Sequence, residues 1–368
     1  MAKHHPENER IKRQYFAYLE EAKRMAPSSV DQVAASIVLF EKSTGYRSFK
    51  AFHIEQAKKF KRDLDASTNP KTGKPLAKST IHSRLMALKA FMQWLAGQQG
   101  YKSRISYSDA DYFNPSANDT RIAKAEREKR VPTLAQIRHV LDTMPTETVL
   151  ERRDRALIAC TLLSGARDNA IASLKIKHID LEARKINQDA REVRTKNRKS
   201  FVSWFFPVGD AIEQIVKSWI EELVTDHLFG PDDPVFPATK IGFDDNGHFA
   251  PMGITREGWS NATAIRRIFR DGFAAAGLPY FNPHSFRDTL GLLGQRTCNN
   301  NIEALKAWSQ NMGHEQVLTT LMSYGAVARD RQGEIMQKIG KGQSATAPYS
   351  PEVLEMAEKL IKAGIGSP

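Results

Sequence analysis

Apolar residues along the chain fall into a small number of runs, and the spacing inside each run names its element. Residues 1–26 are charged and carry no sustained stripe, so they read as an arm, with IKRQYFAYLEEAKRM long enough for a short helix. Ser29 followed by Gln32 forms a capping box, and Val30, Val33, Ala34 and Ile37 then share one helical face. A second helix is predicted from Ile54 to Leu64, and the stretch DASTNPKTGKPLAKS, broken by Pro70, Gly73 and Pro75, is a basic turn-rich loop. In TIHSRLMALKAFMQWLAG the residues Ile81, Leu85, Leu88, Met92 and Leu95 recur at helical spacing and define a buried face. Lys78, His82, Arg84 and Lys89 lie mostly off that stripe, on a face turned either to water or to a polyanion.

The pattern lapses between Asn114 and Pro132, where NPSAND is turn-like and RIAKAEREKR is dense in charge, as a linker would be. Thr133 and Gln136 form a second capping box before LAQIRHVLDTM, and RDRALIACTLLSG reads as a more apolar helix ending at Gly165. The period then shortens to that of strands in LKIKHIDL, ARKINQ, REVRTK and KSFVSWFFPV, predicting a small antiparallel sheet. Helices resume in DAIEQIVKSWIEELV and SNATAIRRIFRDGFAAAG, around Leu290, and between Asn301 and Trp308. Near the end, Ser350 and Pro351 open a last helix with Val353, Leu354, Ala357, Leu360 and Ile361 on one face. The expected fold is mainly α with a small antiparallel β-sheet, an α+β class in two domains. Its parts are an arm (1–27), a helical domain (28–115), a basic linker (116–130), a second domain (131–335) and a tail (336–368).

Charge narrows the function. Lys and Arg number 54 against 42 Asp and Glu, a net +12, which suits a polyanionic partner because neutralised phosphates release condensed counterions. The two cysteines, Cys160 and Cys298, form no CxxC pair and suggest a reducing compartment. The first residues lack the apolar run of a leader, and no stretch approaches the roughly 18 apolar residues of a membrane span, so a cytoplasmic protein without membrane contact is expected. There is no GxGxxG, P-loop or HExxH, and no compact carboxylate and histidine set at metal-ligand spacing, so no cofactor and no metal are expected.

Three clusters carry candidate chemistry. Arg167 follows the glycine that ends a helix in LLSGARDNAIASL; His284 and Arg287 stand three apart in PHSFRDT, on one helical face; His314 precedes Tyr324 by ten residues in NMGHEQVLTTLMSYG. VRTKNRKS, a polar turn between strand-like runs, adds Lys196 and Lys199. Singly, each has an ordinary reading: a helix-end charge for Arg167, a capping histidine for His284 or His314, a half-buried core phenol for Tyr324.

In this order the set resembles the tyrosine recombinase (phage integrase) family signature: Arg, Lys in a β-hairpin, HxxR, His after Gly, then Tyr. The resemblance spans most of 133–330, with weaker similarity over 29–113 to that family's helical SAM-like core-binding domain. It implies a two-domain clamp on double-stranded DNA recombination sites, acting as a homo-tetramer on synapsed DNA. Tyr324 would be the nucleophile that forms a 3′-phosphotyrosine bond, with Arg167 and Arg287 on the phosphate, His314 a further donor, and His284 assisting proton transfer or orientation. Lys196 would be the general acid that protonates the departing 5′ oxygen, with Lys199 on the same turn able to serve. Lys78, Ser79, Thr80, Arg84 and Lys199 would contact DNA, and the last helix would dock on its own domain or a neighbouring subunit. Two positions depart from the family pattern: an acidic residue is common where Ala170 stands, and His where Asp288 stands, so support for the arginines would fall to Asp168 or Asp288. A type IB topoisomerase, and a decayed or accessory DNA-binding protein, are the rival readings. Cleavage that survives EDTA would dismiss a metal-dependent nuclease.

Overall fold

The computed structural model describes residues 4–70, 72–125, 130–298 and 301–314. The chain divides into two compact units, Met1–Glu126 and Arg127–Pro368.

The first unit is helical: α1 (Pro6–Ala17), extended by a π-helical turn over Tyr18–Ala22, then α2 (Pro27–Ser43), α3 (Ile54–Asp65), α4 (Lys78–Ala96) and α5 (Ala117–Lys124). The α4 stripe is buried as its spacing predicts, with Leu88, Phe91, Met92 and Leu95 packed against Ile37, Phe40 and Phe113. The expected arm is a correction. Ile11, Tyr15 and Leu19 enter this core, one per helical turn. The polar face of α1 is also tied down: Lys12 Nζ lies 2.6 Å from the Glu41 carboxylate, and Asn8 donates to Glu41 (3.0 Å) while accepting from Phe49 N–H (2.9 Å). Burial works against the Lys12 ammonium, but its bonds to Glu41 and Glu9 outweigh that, so its pKa stands above the ordinary lysine value. The helix expected to open at Ser29 opens at Pro27, where proline's missing N–H costs no helical bond. Residues 117–124, expected as linker, form α5: the Ser116 hydroxyl accepts from Asp119 N–H (3.0 Å), and Asp119 pairs with Lys78 of α4.

The second unit begins with α6 (Leu134–Thr143), α7 (Val149–Ser164) and the single turn α8 (Asp168–Ile171). Strands β1 (Ile179–Asp180), β2 (Lys185–Gln188) and β3 (Phe201–Trp204) follow, then α9 (Asp210–Thr225), β4 (Thr239–Phe243), β5 (Phe249–Ile254), α10 (Thr263–Ala275), α11 (Ser285–Thr297) and α12 (Ile302–Asn311). The Thr133–Gln136 capping box forms as expected, and a further one, Thr148 with Glu151, starts α7. α7 is the buried axis of this unit, with Ala156 through Leu163 enclosed by α6, α9 and α11.

The sheet has order β1-β2-β3, all antiparallel, with Ile186 opposite Ser203. REVRTK, expected as a strand, is a turn: Glu192 and Val193 bond back to Asp189 O, and Arg194 is spent on Trp259 O (2.6 Å) and Ala172 O (3.2 Å). The β4–β5 hairpin was not anticipated. Gly242, Pro251 and Gly253 weaken its strand pattern, and Ile241, Phe243, Phe249 and Met252 are exposed, so no alternation of burial marks it. Among the described residues no helix is long and apolar enough to cross a membrane. Tyr324 and the helix expected from Ser350 lie outside the described residues.

Candidate active site

α7 must stop abruptly for Arg167 to reach the site. Gly165 takes a left-handed conformation (φ 60°, ψ 16°), which is open to glycine and costly for other residues. Ser164 Oγ accepts from Ala166 N–H (3.1 Å), and the chain runs extended into Arg167, the residue preceding α8. Arg167 is half-buried there.

His284 and Arg287 sit on the first turn of α11. Asn282 holds that turn, its carbonyl accepting from Ser285 Oγ (2.6 Å) and its side chain from Ser285 N–H (3.2 Å). His284 is exposed, whereas Arg287 is only 2% exposed. The buried guanidinium connects motifs that are far apart in sequence. It donates through Nη1 to Gly165 O, and through Nη2 to Met312 O (2.6 Å) and His314 Nε2 (3.0 Å).

His314 is placed by the way α12 ends. Gly313 (φ 70°) bonds back to Gln310 O (2.8 Å) and His314 N–H to Ser309 O (3.1 Å), the two bonds of a Schellman stop. Arginine has no acceptor atom, so Nε2 of His314 is the acceptor in its contact with Arg287 and its ring is neutral with the proton on Nδ1. Burial is the main reason its pKa is lowered to about 4, followed by the charges of Arg287, Arg167, His284 and Lys199. Arg287 therefore touches the His314 ring, and the charges of Arg167, His284 and Lys199 act on it as well, which links five of the expected residues. Lys196 is exposed, on a turn with Asn197 in a left-handed conformation (φ 59°), and makes no hydrogen bond or ion pair among the described residues.

The depressed His314 pKa sets a pH dependence. Unfolded, this histidine takes up a proton near pH 6.5, while in the folded chain it resists until about pH 4. Its contribution to stability is full above pH 6.5 and declines as pH falls from there to about 4. His314→Gln is expected to flatten this part of the profile, so thermal melting of wild type should lose more than that of the variant between those pH values.

The departures from the expected pattern are filled differently from one another. Ala170 is buried in the apolar core. Asp168 pairs with Arg266 (2.9 Å), and Asp288 is buried beside Arg287. Sequence reasoning missed two residues that shape the site. Thr289 Oγ1 donates to Pro132 O (2.6 Å), fixing α11 to the start of the unit, and Asn311 bonds to the backbone of β3; both lie within the stretches PHSFRDT and NMGHEQVLTTLMSYG, but their partners are distant in sequence. In the first unit the expected DNA contacts are differently disposed. Ser79 is exposed, and Thr80 and Arg84 are half-buried. Lys78 is a correction to the picture of open positive charge. It lies 2.8 Å from both Asp65 and Asp119, and the bonds to Asp119 and Asp65 raise its pKa.

Comparison with known proteins bears on the family and the fold. Residues 130–331 match the model of the phage integrase family. Tyrosine recombinase XerC of Escherichia coli is 24% identical over 236 residues, covering 62% of this chain and 68% of XerC. The fold resembles that of a lambda integrase dimer bound to a COC′ core site, with TM-score 0.59 and 13% identity over 89% of this chain and 82% of that one. It also resembles the Tn1549 transposon integrase in complex with circular intermediate DNA, with TM-score 0.51 and 17% identity over 89% of this chain and 99% of that one. The family match covers more than half of the 368 residues and includes every motif of the site: the chain belongs to the phage integrase family of tyrosine recombinases.

Proposed function

We propose that this protein is a site-specific DNA recombinase that cuts and rejoins strands through a covalent 3′-phosphotyrosine at Tyr324, using neither metal nor ATP. The observation that carries the reading is the convergence of Arg167, Arg287 and Lys199 on a neutral His314. Positive charge of this kind around an uncharged ring suits a phosphodiester, whose non-bridging oxygens carry the negative charge. Paired guanidinium bonds fit its non-bridging oxygens, and preorganised donors of this kind are worth about 3–4 kcal/mol each at the transition state.

The steps balance without a co-reactant. The Tyr324 oxygen bonds to phosphorus as the P–O5′ bond breaks. The phenolic proton, ordinarily held to about pH 10, passes toward His284, and the lysine of the β2–β3 turn protonates the departing 5′ oxygen. Lys196 and Lys199 are both candidates for that acid; the charge of Lys199 is among those that lower the pKa of His314. A phosphate between Arg287 and His314 replaces the ring's present acceptor role by a donor role, so His314 takes up a proton or changes tautomer on binding. Reversal of the steps with another strand's 5′ hydroxyl rejoins the DNA.

Double-stranded DNA is the partner, with residues 28–115 and 131–335 as the parts that hold it. A four-subunit assembly follows the precedent of a lambda integrase tetramer bound to a Holliday junction. Phosphate contacts dominate such binding, which then weakens steeply with salt. The test is covalent trapping on nicked duplexes drawn from DNA flanking the gene, in EDTA and quenched with SDS. Wild type is expected to give a protein–DNA band that Tyr324→Phe abolishes without loss of binding. Salt-sensitive binding with no band from wild type would leave an accessory DNA-binding protein, the reading for which Ala170 leaves room.

A further inference from the structure

We propose that Asn311 is a positioning residue that fixes the lysine-bearing β2–β3 hairpin against the His314 turn, so that the 5′ oxygen is protonated while the arginines hold the phosphate. This rests on the recombinase reading above.

Among the described residues β3 is an edge strand, so one row of its peptide groups faces away from β2 with no strand partner there. Asn311 fills that row at Trp204. Its side-chain oxygen accepts from Trp204 N–H (2.6 Å) and its side-chain N–H donates to Trp204 O (2.8 Å). A primary amide offers one acceptor and a donor in the geometry of a peptide group, so this one side chain replaces a strand. Two further contacts join the same segments. Ser203 Oγ donates to Asn311 O (3.2 Å) while accepting from Gln188 Nε2 (2.8 Å), which brings β2 into the junction. The Phe201 ring lies against Gly313, where a Cβ would stand 2.7 Å from its Cζ.

The consequence is geometric. Asn311 and Gly313 bracket the Met312 carbonyl that receives Arg287, and His314 comes next. On the other side Phe201 is two residues from Lys199 and five from Lys196. The phosphate-holding groups and the general acid belong to different segments, and this junction sets the distance between them. Losing the Asn311 amide frees the edge of β3 while leaving Arg287 on Gly165 O and Met312 O. Leaving-group protonation should suffer and phosphate binding should not.

A bridging sulfur separates these roles. A 5′-thiolate departs without a proton, since a thiol ionises near pH 8.5. Single-turnover adduct formation is measured for wild type, Asn311→Ala and Asn311→Asp, on duplexes with a 5′-bridging oxygen and a 5′-bridging sulfur. Asn311→Asp keeps the size and the acceptor but sets a carboxylate against Trp204 O, which guards against a defect from lost volume alone. Both variants are expected to react about 10- to 100-fold more slowly on the oxygen duplex and within about threefold of wild type on the sulfur duplex. Equal losses on both duplexes, or no loss on either, overturn the inference and leave the recombinase reading standing. A wild type that forms no adduct on either duplex overturns both.

Discussion

Arg287→Lys is expected to slow single-turnover cleavage about 100- to 1000-fold while changing affinity for duplex DNA by less than about threefold. Charge is kept, so the long-range attraction that governs binding survives. The planar fork is lost. The native guanidinium spans Gly165 O, Met312 O and His314 Nε2 from a site only 2% exposed. An ammonium at the end of a shorter reach cannot hold both carbonyls and a phosphate oxygen together. Arg287→Ala should be worse in a second way, leaving two buried carbonyls without a donor and a cavity beside them. Each unsatisfied acceptor costs about 1–3 kcal/mol, so a stability loss of about 3–5 kcal/mol is expected, with roughly a 10 °C fall in the melting temperature of this unit. Adduct formation, a DNA titration and a melting curve measure the three quantities. A lysine variant that cleaves within tenfold of wild type would mean that charge alone, not the bidentate geometry, is what the site requires.

The split between charge and geometry also describes what the sequence could disclose. Arg167, the HxxR pair and the Gly–His step were legible because chemistry restricts which residue types can serve and the family keeps their order. Helices α4 and α7 were legible because a one-sided or continuous apolar run has few other meanings. What was hidden depended on partners distant in sequence. α1 carries one apolar residue per turn, and its burial becomes sensible only when Glu41 arrives to meet Lys12 across 29 residues. Lys78 reads as an open cation until Asp119 and Asp65 close on it. REVRTK has the composition of a strand, yet Asp189 and Arg194 bend it into a turn. Asn311 carries no signal at all, since an exposed-looking asparagine near a helix end is ordinary until the edge of β3 lies beside it. Motifs named the chemical groups; the long-range hydrogen bonds that aim them were not in the local pattern.

Gly165→Ala is the second large effect, because one atom there meets two independent penalties. The left-handed conformation (φ 60°) costs a non-glycine residue about 1–2 kcal/mol. The added Cβ would also stand 3.0 Å from Phe206 Cε2 and 3.1 Å from Leu290 Cδ1. Neither can retreat freely. Both are buried, the Phe206 ring packs on Trp308 (centroids 4.9 Å apart), and the Trp308 indole N–H donates to Leu290 O (3.0 Å). Overpacking of this kind adds about 1–3 kcal/mol, for a total of about 2–5 kcal/mol. Gly277→Ala supplies the control within the same unit: its φ is 69°, and nothing lies within 4 Å of a Cβ built there, so it should lose only the conformational part. Urea unfolding of the two variants should therefore differ by the packing cost alone. Cleavage should separate them further. Gly165 O is an acceptor of the buried Arg287, and Arg167 follows two residues later, so displacing this turn moves both arginines. A shift of about 1 Å in positioned groups can cost about 100-fold in rate, whereas Gly277→Ala should cleave at the wild-type rate. Equal stabilities for the two variants would show that the Phe206–Leu290 wall yields, and normal cleavage by Gly165→Ala would show that the arginines are not anchored through this turn.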